Sequence, residues 1–289
     1  MMDHIAFVGF GEAATAFVTG WADRRPARIS VFDTKTDDQA TRDVMLARYA
    51  DQAVAGADGL AEALAVAPVI FSVVTADRAL HAARSAAPFI APDALWLDCN
   101  SCAPETKRAA AQVIAAAGGR YVDVAVMAPV HPQKNHVPLL VSGPHAQAAV
   151  AVLTALDMRP VVAGDTVGQA SSIKMLRSVM IKGMEALTAE CFLAARRAGV
   201  DDAVIASLEA SDPGVDWRRR GSYNLERMMI HGTRRAAEMR EAAATVAAFG
   251  LSARMAAATA DWQDQIAATG ASAVADDLAE RADAVLQKL

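Results

Sequence analysis

The residues best suited to chemistry lie on a polar stripe in "VGQASSIKMLRSVMIKGMEAL", residues 167–187. At about 100° per residue, Ser171, Lys174, Ser178, Lys182 and Glu185 fall within a wedge of roughly 80° on one helix. The other sides carry Ile173, Met175, Leu176, Val179, Met180, Ile181, Met184 and Leu187. An amine among hydroxyls can give or take a proton near neutral pH when its charged form is disfavoured. The apolar flanks would supply desolvation, and Lys182, two turns beyond Lys174, would add repulsion. Two arrangements are open: the stripe lines a cleft, or it faces solvent. Glu185 has a structural alternative, an ion pair with Lys182 three residues earlier.

A second cluster lies near the N-terminus. "IAFVGFGEAATAF" sets Gly9-x-Gly11-x-x-Ala14 between an apolar run and a helical stretch. Gly9 would permit a tight turn, Gly11 would let backbone approach a pyrophosphate, and Ala14 would let helix and strand pack closely. The next apolar run ends at Asp33, about 20 residues further on, where a carboxylate would accept hydrogen bonds from an adenosine ribose. The ligand implied is a dinucleotide, against the alternative of an ordinary glycine-rich turn. Asp33 favours NAD, since it would repel a 2′-phosphate. Lys35, after Thr34, would attract that phosphate and keeps NADP open.

The elements that must position these residues are legible as alternation. "HIAFVGF", "RISVFD", "VIFSVV", "ALWLDCN", "YVDVAVM", "PLLVSG" and "RPVVAG" read as strands. Between the first of them lie "EAATAFVTGWA", "ATRDVMLARYA", "DGLAEALAV" and "PETKRAAAQVIAAAG", which read as helices, and another helix starts near His145. This is the pattern of βα units on a parallel sheet. After residue 164 only helices are expected. The first, capped by Asp165 or Thr166, runs to about Ala198 and closes at Gly199; one break follows, at "SDPGVD". The expected architecture is an α/β, dinucleotide-binding domain over 1–164 and an all-α domain over 165–289, without internal repeat or low-complexity linker.

The chain has 289 residues, 54% hydrophobic and 21% charged, so it is globular and long enough for two domains. Aromatics are only 5%, which leaves the core to Ala, Val, Leu and Met. A net charge of −5 argues against a nucleic-acid partner but leaves small anionic substrates open. No apolar run reaches the ~18 to 20 residues of a membrane span, and "MMDHIAFVGFG" lacks the basic start of a targeting segment. Three cysteines cannot build a disulfide framework, which suits a reducing cytoplasm.

Other clusters have plainer accounts. Cys99 and Cys102 form a lone C-x-x-C, short of the second pair a zinc site needs. His131 and His136 sit in a proline-flanked loop without an adjacent carboxylate. Arg218 to Arg220 are expected at a solvated helix end, an anion site being the alternative. No metal is expected.

A dinucleotide domain followed by a long helix carrying Gly-x5-Lys resembles the β-hydroxyacid dehydrogenase superfamily, which includes 3-hydroxyisobutyrate and 6-phosphogluconate dehydrogenases. "KMLRSVMIKGMEAL" and "GTRRAAEM" resemble its phosphogluconate-dehydrogenase-like branch. The resemblance implies a Rossmann-type domain. Its cofactor contacts would come from the turn Gly9, Phe10, Gly11, Glu12, Ala13 and Ala14, from Asp33, Thr34 and Lys35, and from Val73, Val74 and Thr75. Asn100 and Ser101 in "DCNSCAPET" would meet cofactor or substrate, and Gly168 and Lys174 match the Gly-x5-Lys signature, with Lys174 as the catalytic lysine.

Three departures stand out. Met127, Ala128 and Pro129 replace the family's Ser-Gly-Gly in the substrate loop, Ser178 replaces an asparagine, and Ile181 stands where 6-phosphogluconate dehydrogenase has a glutamate. Oxidative decarboxylation is disfavoured, and plain hydride transfer on a small 3-hydroxy acid or sugar acid is the expected activity. Lys174 would move the proton, Ser178 would orient the substrate or the lysine, and Lys182, His231 and Arg235 (beside Arg234) are candidates near the substrate. The alternatives are an imine reductase, which typically carries Asp or Tyr at the lysine position, and a dinucleotide-binding sensor without activity. A homodimer through the helical half is expected.

Overall fold

The computed structural model describes residues 3–289, in two compact units that divide between Lys174 and Met175. In the first unit the chain runs β1 (His4–Val8), α1 (Glu12–Trp21), β2 (Arg28–Phe32), α2 (Gln39–Asp51), β3 (Ala55–Gly56), α3 (Leu60–Leu64) and β4 (Val69–Ser72). It continues through α4 (Ala79–Ala86), β5 (Leu95–Asp98), α5 (Pro104–Ala116), β6 (Arg120–Val126), β7 (Pro138–Ser142), α6 (Ala146–Ala155) and β8 (Arg159–Gly164). The strands form one sheet in the order β3-β2-β1-β4-β5-β6-β7-β8. Every neighbouring pair is parallel except β6 and β7.

The alternation of side chains explains why helices cover both faces. Ile5 and Phe7 of β1, Phe71 of β4 and Leu95 and Leu97 of β5 pack on one face with Phe17 and Trp21 of α1 and Leu153 of α6. Ala6 and Val8, Ile70 and Trp96 point the other way, onto Leu64 of α3, Ala83 of α4 and Ile114 of α5. A sheet buried on both faces reads as continuous apolar runs, and these are the runs the sequence displays. The order reverses direction beside β1, between β2 on one side and β4 on the other. The crevice at such a switch point, beyond the carboxyl ends of the strands, is where α/β sheets bind ligands.

Two elements were absent from the sequence reading. β3 is only Ala55–Gly56, too short to show a period, and α4 lies in an Ala-rich stretch whose apolar face is made of alanines.

The helix α7 (Gln169–Ala198) starts in the first unit and, from Met175, supplies the first helix of the second. It stops before Gly199, which holds φ +71°. Its N-terminus is capped differently from the expectation. The Thr166 hydroxyl donates to Asp165, while the amides of Gly168 and Ser171 donate to Asp123 on β6, 3.1 and 3.0 Å away.

After α7 come α8 (Asp201–Ser211), α9 (Trp217–Ala248), α10 (Arg254–Ala268) and α11 (Leu278–Leu286). Phe192 and Leu193 of α7, Leu225 and Met228 of α9, Ile266 of α10 and Val285 of α11 build the core of this unit. It has breaks at 249–253 and 269–277 besides the one expected at "SDPGVD". No described helix is long and apolar enough to cross a membrane.

Candidate active site

β1, β2, β4, β5 and β6 run in parallel, so the residues that follow them gather along one edge of the sheet. Gly9 leaves β1 at φ +85°, and a Cβ there would lie 2.5 Å from the Val73 carbonyl oxygen. Only glycine fits that turn. Gly11 is the opposite case: a Cβ there would meet nothing within 4 Å, so protein packing does not demand a glycine. It also caps α1 without a side chain. The open space beside a helix N-terminus suits a pyrophosphate on backbone N–H groups. Glu12 is exposed, Ala13 half-buried and Ala14 fully buried.

Phe10 has its ring wholly buried, 5.7 Å from Phe7 and 5.6 Å from Tyr49 between ring centres, so the ring serves the core. Its amide donates to Asp33 Oδ2 at 2.8 Å, and Lys35 N donates to Asp33 Oδ1 at 3.0 Å. The Asp33 carboxylate is thereby fixed beside the turn, with lone pairs left over for ribose hydroxyls. Thr34 and Lys35 are exposed. These features fit a dinucleotide.

Val73, Val74 and Thr75 follow β4, tied to the next loop by Asn100. Asn100 is 3% exposed; its Oδ1 accepts from Val74 N at 2.6 Å and its Nδ2 donates to Ser72 Oγ at 2.9 Å. Its amide is committed to protein, so it holds the two loops together. Ser101, next in the chain, is half-buried and accepts a 2.5 Å hydrogen bond from Lys174 Nζ. Met127 and Ala128 are half-buried and Pro129 exposed, just past β6.

Beneath these loops lies a buried polar cluster that the sequence reading missed. Lys107 on α5 is wholly buried and donates to Asp98 through its carbonyl oxygen at 2.6 Å and Oδ1 at 2.9 Å. Asp123 Oδ1 stands 3.4 Å away, within ion-pair range. Asp98 also accepts from Tyr121 Oη at 2.7 Å and from Asn100 N at 3.0 Å. Asp123 Oδ2 takes the amides of Gly168 and Ser171, together with the hydroxyls of Ser171 and Ser142. Burial alone would lower the Lys107 pKa; Asp98 first and Asp123 second overcome it and hold the ammonium charged, raised from its ordinary value. The same carboxylates and, above all, burial push the Tyr121 phenol well up. One signal in the sequence pointed here: Lys107 shares a helix face with Ala110 and Ile114, both fully buried.

The polar stripe divides along α7. Ser171 belongs to the Asp123 cap, and Lys174 is half-buried on Ser101. Ser178, Lys182 and Glu185 are buried inside the second unit, neither in water nor on an open face. Lys182 donates to Ser178 Oγ at 3.0 Å and pairs with Glu238 at 3.0 Å, so Glu185 is not its partner. Burial lowers the Lys182 pKa and Glu238 opposes that shift. Glu185 instead binds Arg235 through both guanidinium arms and accepts from Gln263 at 3.0 Å. Arg234 pairs with Glu238, and His231 is half-buried on the same helix. Arg235 is thus engaged within the helical core.

His136 does have a carboxylate neighbour, Asp157 at 2.8 Å, contrary to the sequence reading. Cys99 and Cys102 are buried, and Arg218 pairs with Asp202. Among the described residues, no group of three or more His, Cys, Asp or Glu side chains is placed to hold a metal ion.

The family profile described as "NAD binding domain of 6-phosphogluconate dehydrogenase" matches residues 4–157, more than half of the chain. The chain belongs to the β-hydroxyacid dehydrogenase superfamily. A second profile, a domain of unknown function (DUF1932), covers residues 195–266 within the helical unit. Among solved structures, a conserved hypothetical protein from Sinorhizobium meliloti 1021 is 40% identical, with TM-score 0.80 over 100% of this chain and 97% of that one. The conserved protein MTH1747, noted for its structural similarity with 3-hydroxyacid dehydrogenases, is 28% identical with TM-score 0.73 over 99% of both chains. The 3-hydroxyisobutyrate dehydrogenase of Mycobacterium tuberculosis, solved with L-serine, shares the fold at 18% identity, with TM-score 0.76 over 98% and 99%. A superfamily member with a nicotinamide-dinucleotide domain is an oxidoreductase by class.

Proposed function

We propose that the protein is an NAD-dependent dehydrogenase of a small 3-hydroxy acid or sugar acid, with Lys174 as the proton-transfer residue. The observation that carries this reading is the Lys174–Ser101 hydrogen bond, made past the carboxyl end of β5 on the sheet edge that holds Gly9, Asp33 and Val73. The turn Gly9–Ala14 would hold the pyrophosphate, Asp33 the adenosine ribose, and Val73–Thr75 the segment leading to the nicotinamide. When bound, that ring supplies the hydride acceptor.

In the oxidation, Lys174 as a neutral amine accepts the proton of the substrate hydroxyl while the carbon gives up hydride. The C–O bond becomes a carbonyl. In the reduction, the ammonium returns its proton to the carbonyl oxygen as hydride arrives. Ser101 accepts from Nζ and aims it; the substrate hydroxyl would share that position. Met127 and Ala128 would offer an apolar wall in place of the family's hydroxyl and backbone donors, which suits a substrate with a short carbon skeleton. Asp33 supports NAD over NADP, and the second unit supports assembly as a homodimer.

The test is turnover of a hydroxy-acid and sugar-acid panel with NAD and NADP, for wild type and Lys174→Ala. The reading expects wild-type activity that falls by about 10²–10⁴-fold in the variant, with NADH affinity by calorimetry unchanged. Equal rates in both proteins would sink the lysine mechanism.

A further inference from the structure

Lys107 is the one wholly buried cation of the sheet unit among the described residues, and the mechanism above does not use it. Its two carboxylate neighbours lead to two different pieces of backbone. Through Asp98 it reaches the amide of Asn100, the Oδ1 of which holds Val74 N, and Ser101 is the next residue. Through Asp123 it reaches Gly168 N, Ser171 N and Ser171 Oγ, the first turn of the helix that carries Lys174. One ammonium therefore stands between the loop bearing Ser101 and the helix turn bearing Lys174.

Removing that charge would leave Asp98 and Asp123 buried side by side with their neutral hydrogen-bond donors but no counter-charge. Like charges that close repel strongly when no cation stands between them. Their repulsion would drive the two carboxylates apart, and the amides they accept from would be held less firmly.

We propose that Lys107 is a positioning residue: by clamping Asp98 and Asp123 together it sets the contact between Ser101 and Lys174. Its catalytic consequence rests on the reading of Lys174 given above; the clamp itself does not. Lys107 is wholly buried, so it acts only through the residues it holds.

The experiment is amide hydrogen exchange by mass spectrometry on the full chain, for wild type and Lys107→Met, without substrate. The expected result is exchange at least about tenfold faster in peptides spanning 98–101 and 168–174, with the Gly9–Phe10 turn unchanged. No change in those peptides, or equal acceleration everywhere, would overturn the proposal, the latter because it marks a mere loss of core stability. If Lys107→Met does not fold, Tyr121→Phe takes its place, since it removes only one hydrogen bond to Asp98; about threefold faster exchange confined to the same peptides is expected, and none would overturn the clamp.

Kinetics separate the two ideas. On a substrate that the wild type oxidises, Lys107→Met lowers kcat at least about tenfold, while the KM for NAD stays within twofold. A wild type that oxidises nothing would remove the dehydrogenase reading, and the exchange result would still decide the clamp.

Discussion

Cys99, Cys102 and Cys191 carry the same thiol into unlike surroundings. Burial, more than the nearby charges, pushes the Cys99 thiol up to about 12, while the Lys107 and Lys174 ammonium groups pull the other way. A pKa that high leaves almost no thiolate at neutral pH, and thiolate is the reactive form. Cys102 is wholly buried, whereas Cys191 is exposed on α7. Iodoacetamide at neutral pH should therefore leave Cys99 and Cys102 unlabelled in the folded protein and alkylate all three cysteines after denaturation; fast labelling of Cys99 would contradict the burial seen here. Arg235 makes a complementary case. Arg235→Ala leaves Glu185 buried without its guanidinium, and should destabilise the fold by about 3–5 kcal/mol, read by urea unfolding, with little change in KM for substrate. A raised KM with unchanged stability would restore Arg235 to the substrate. The polar stripe was visible from spacing, but its division was not. Lys182 and Glu185 find their partners on α9 and α10, dozens of residues away, and no local period announces them.

Elements explain how much of the site was legible. Parallel strands buried on both faces advertise themselves as apolar runs, so Gly9, Asp33, Val73 and Ser101 could be placed after strands from sequence alone. The cap of α7 could not, because its acceptor, Asp123, comes from β6 and not from the residues just before the helix. The β1–α1 connection gives the sharpest test at this scale. Gly9→Ala would place a methyl 2.5 Å from the Val73 carbonyl and strain a backbone at φ +85°. The backbone term alone is about 1–2 kcal/mol, and the clash pushes β4 away from the turn. NADH binding should fall by at least about tenfold, whereas Gly11→Ala, which meets no protein atom, should lower the melting temperature little and weaken NADH binding by intruding on the ligand's space. Equal effects on stability would argue that both glycines serve the fold.

At the scale of the molecule, the chain joins a dinucleotide domain to a helical unit, and α7 exposes a run of apolar side chains. Met180 and Leu187 are 64% and 62% exposed, which singly would mean little, but they share one side of the helix with Ile173 and Leu176, also exposed. The proposed homodimer predicts that the protein sediments as a dimer at micromolar concentration and that Met180→Glu with Leu187→Glu shifts it to monomer. A wild-type monomer would refute that assembly.

The aromatic packing beneath the glycine turn has an optical consequence. Trp21 lies within 5.8 Å of both Phe7 and Phe71, ring centre to ring centre, and Trp96 is wholly buried in β5, so both indoles belong to the sheet unit that carries the turn. Indole emission overlaps the absorption of reduced nicotinamide. NADH seated on the Gly9–Ala14 turn would accept that energy, dimming tryptophan and brightening its own blue glow. Replacing Trp217 and Trp262 of the helical unit by phenylalanine would leave the signal to those two indoles. With the proposed cofactor bound, these two indoles would serve as a fluorescent gauge of its occupancy, readable before any substrate is known.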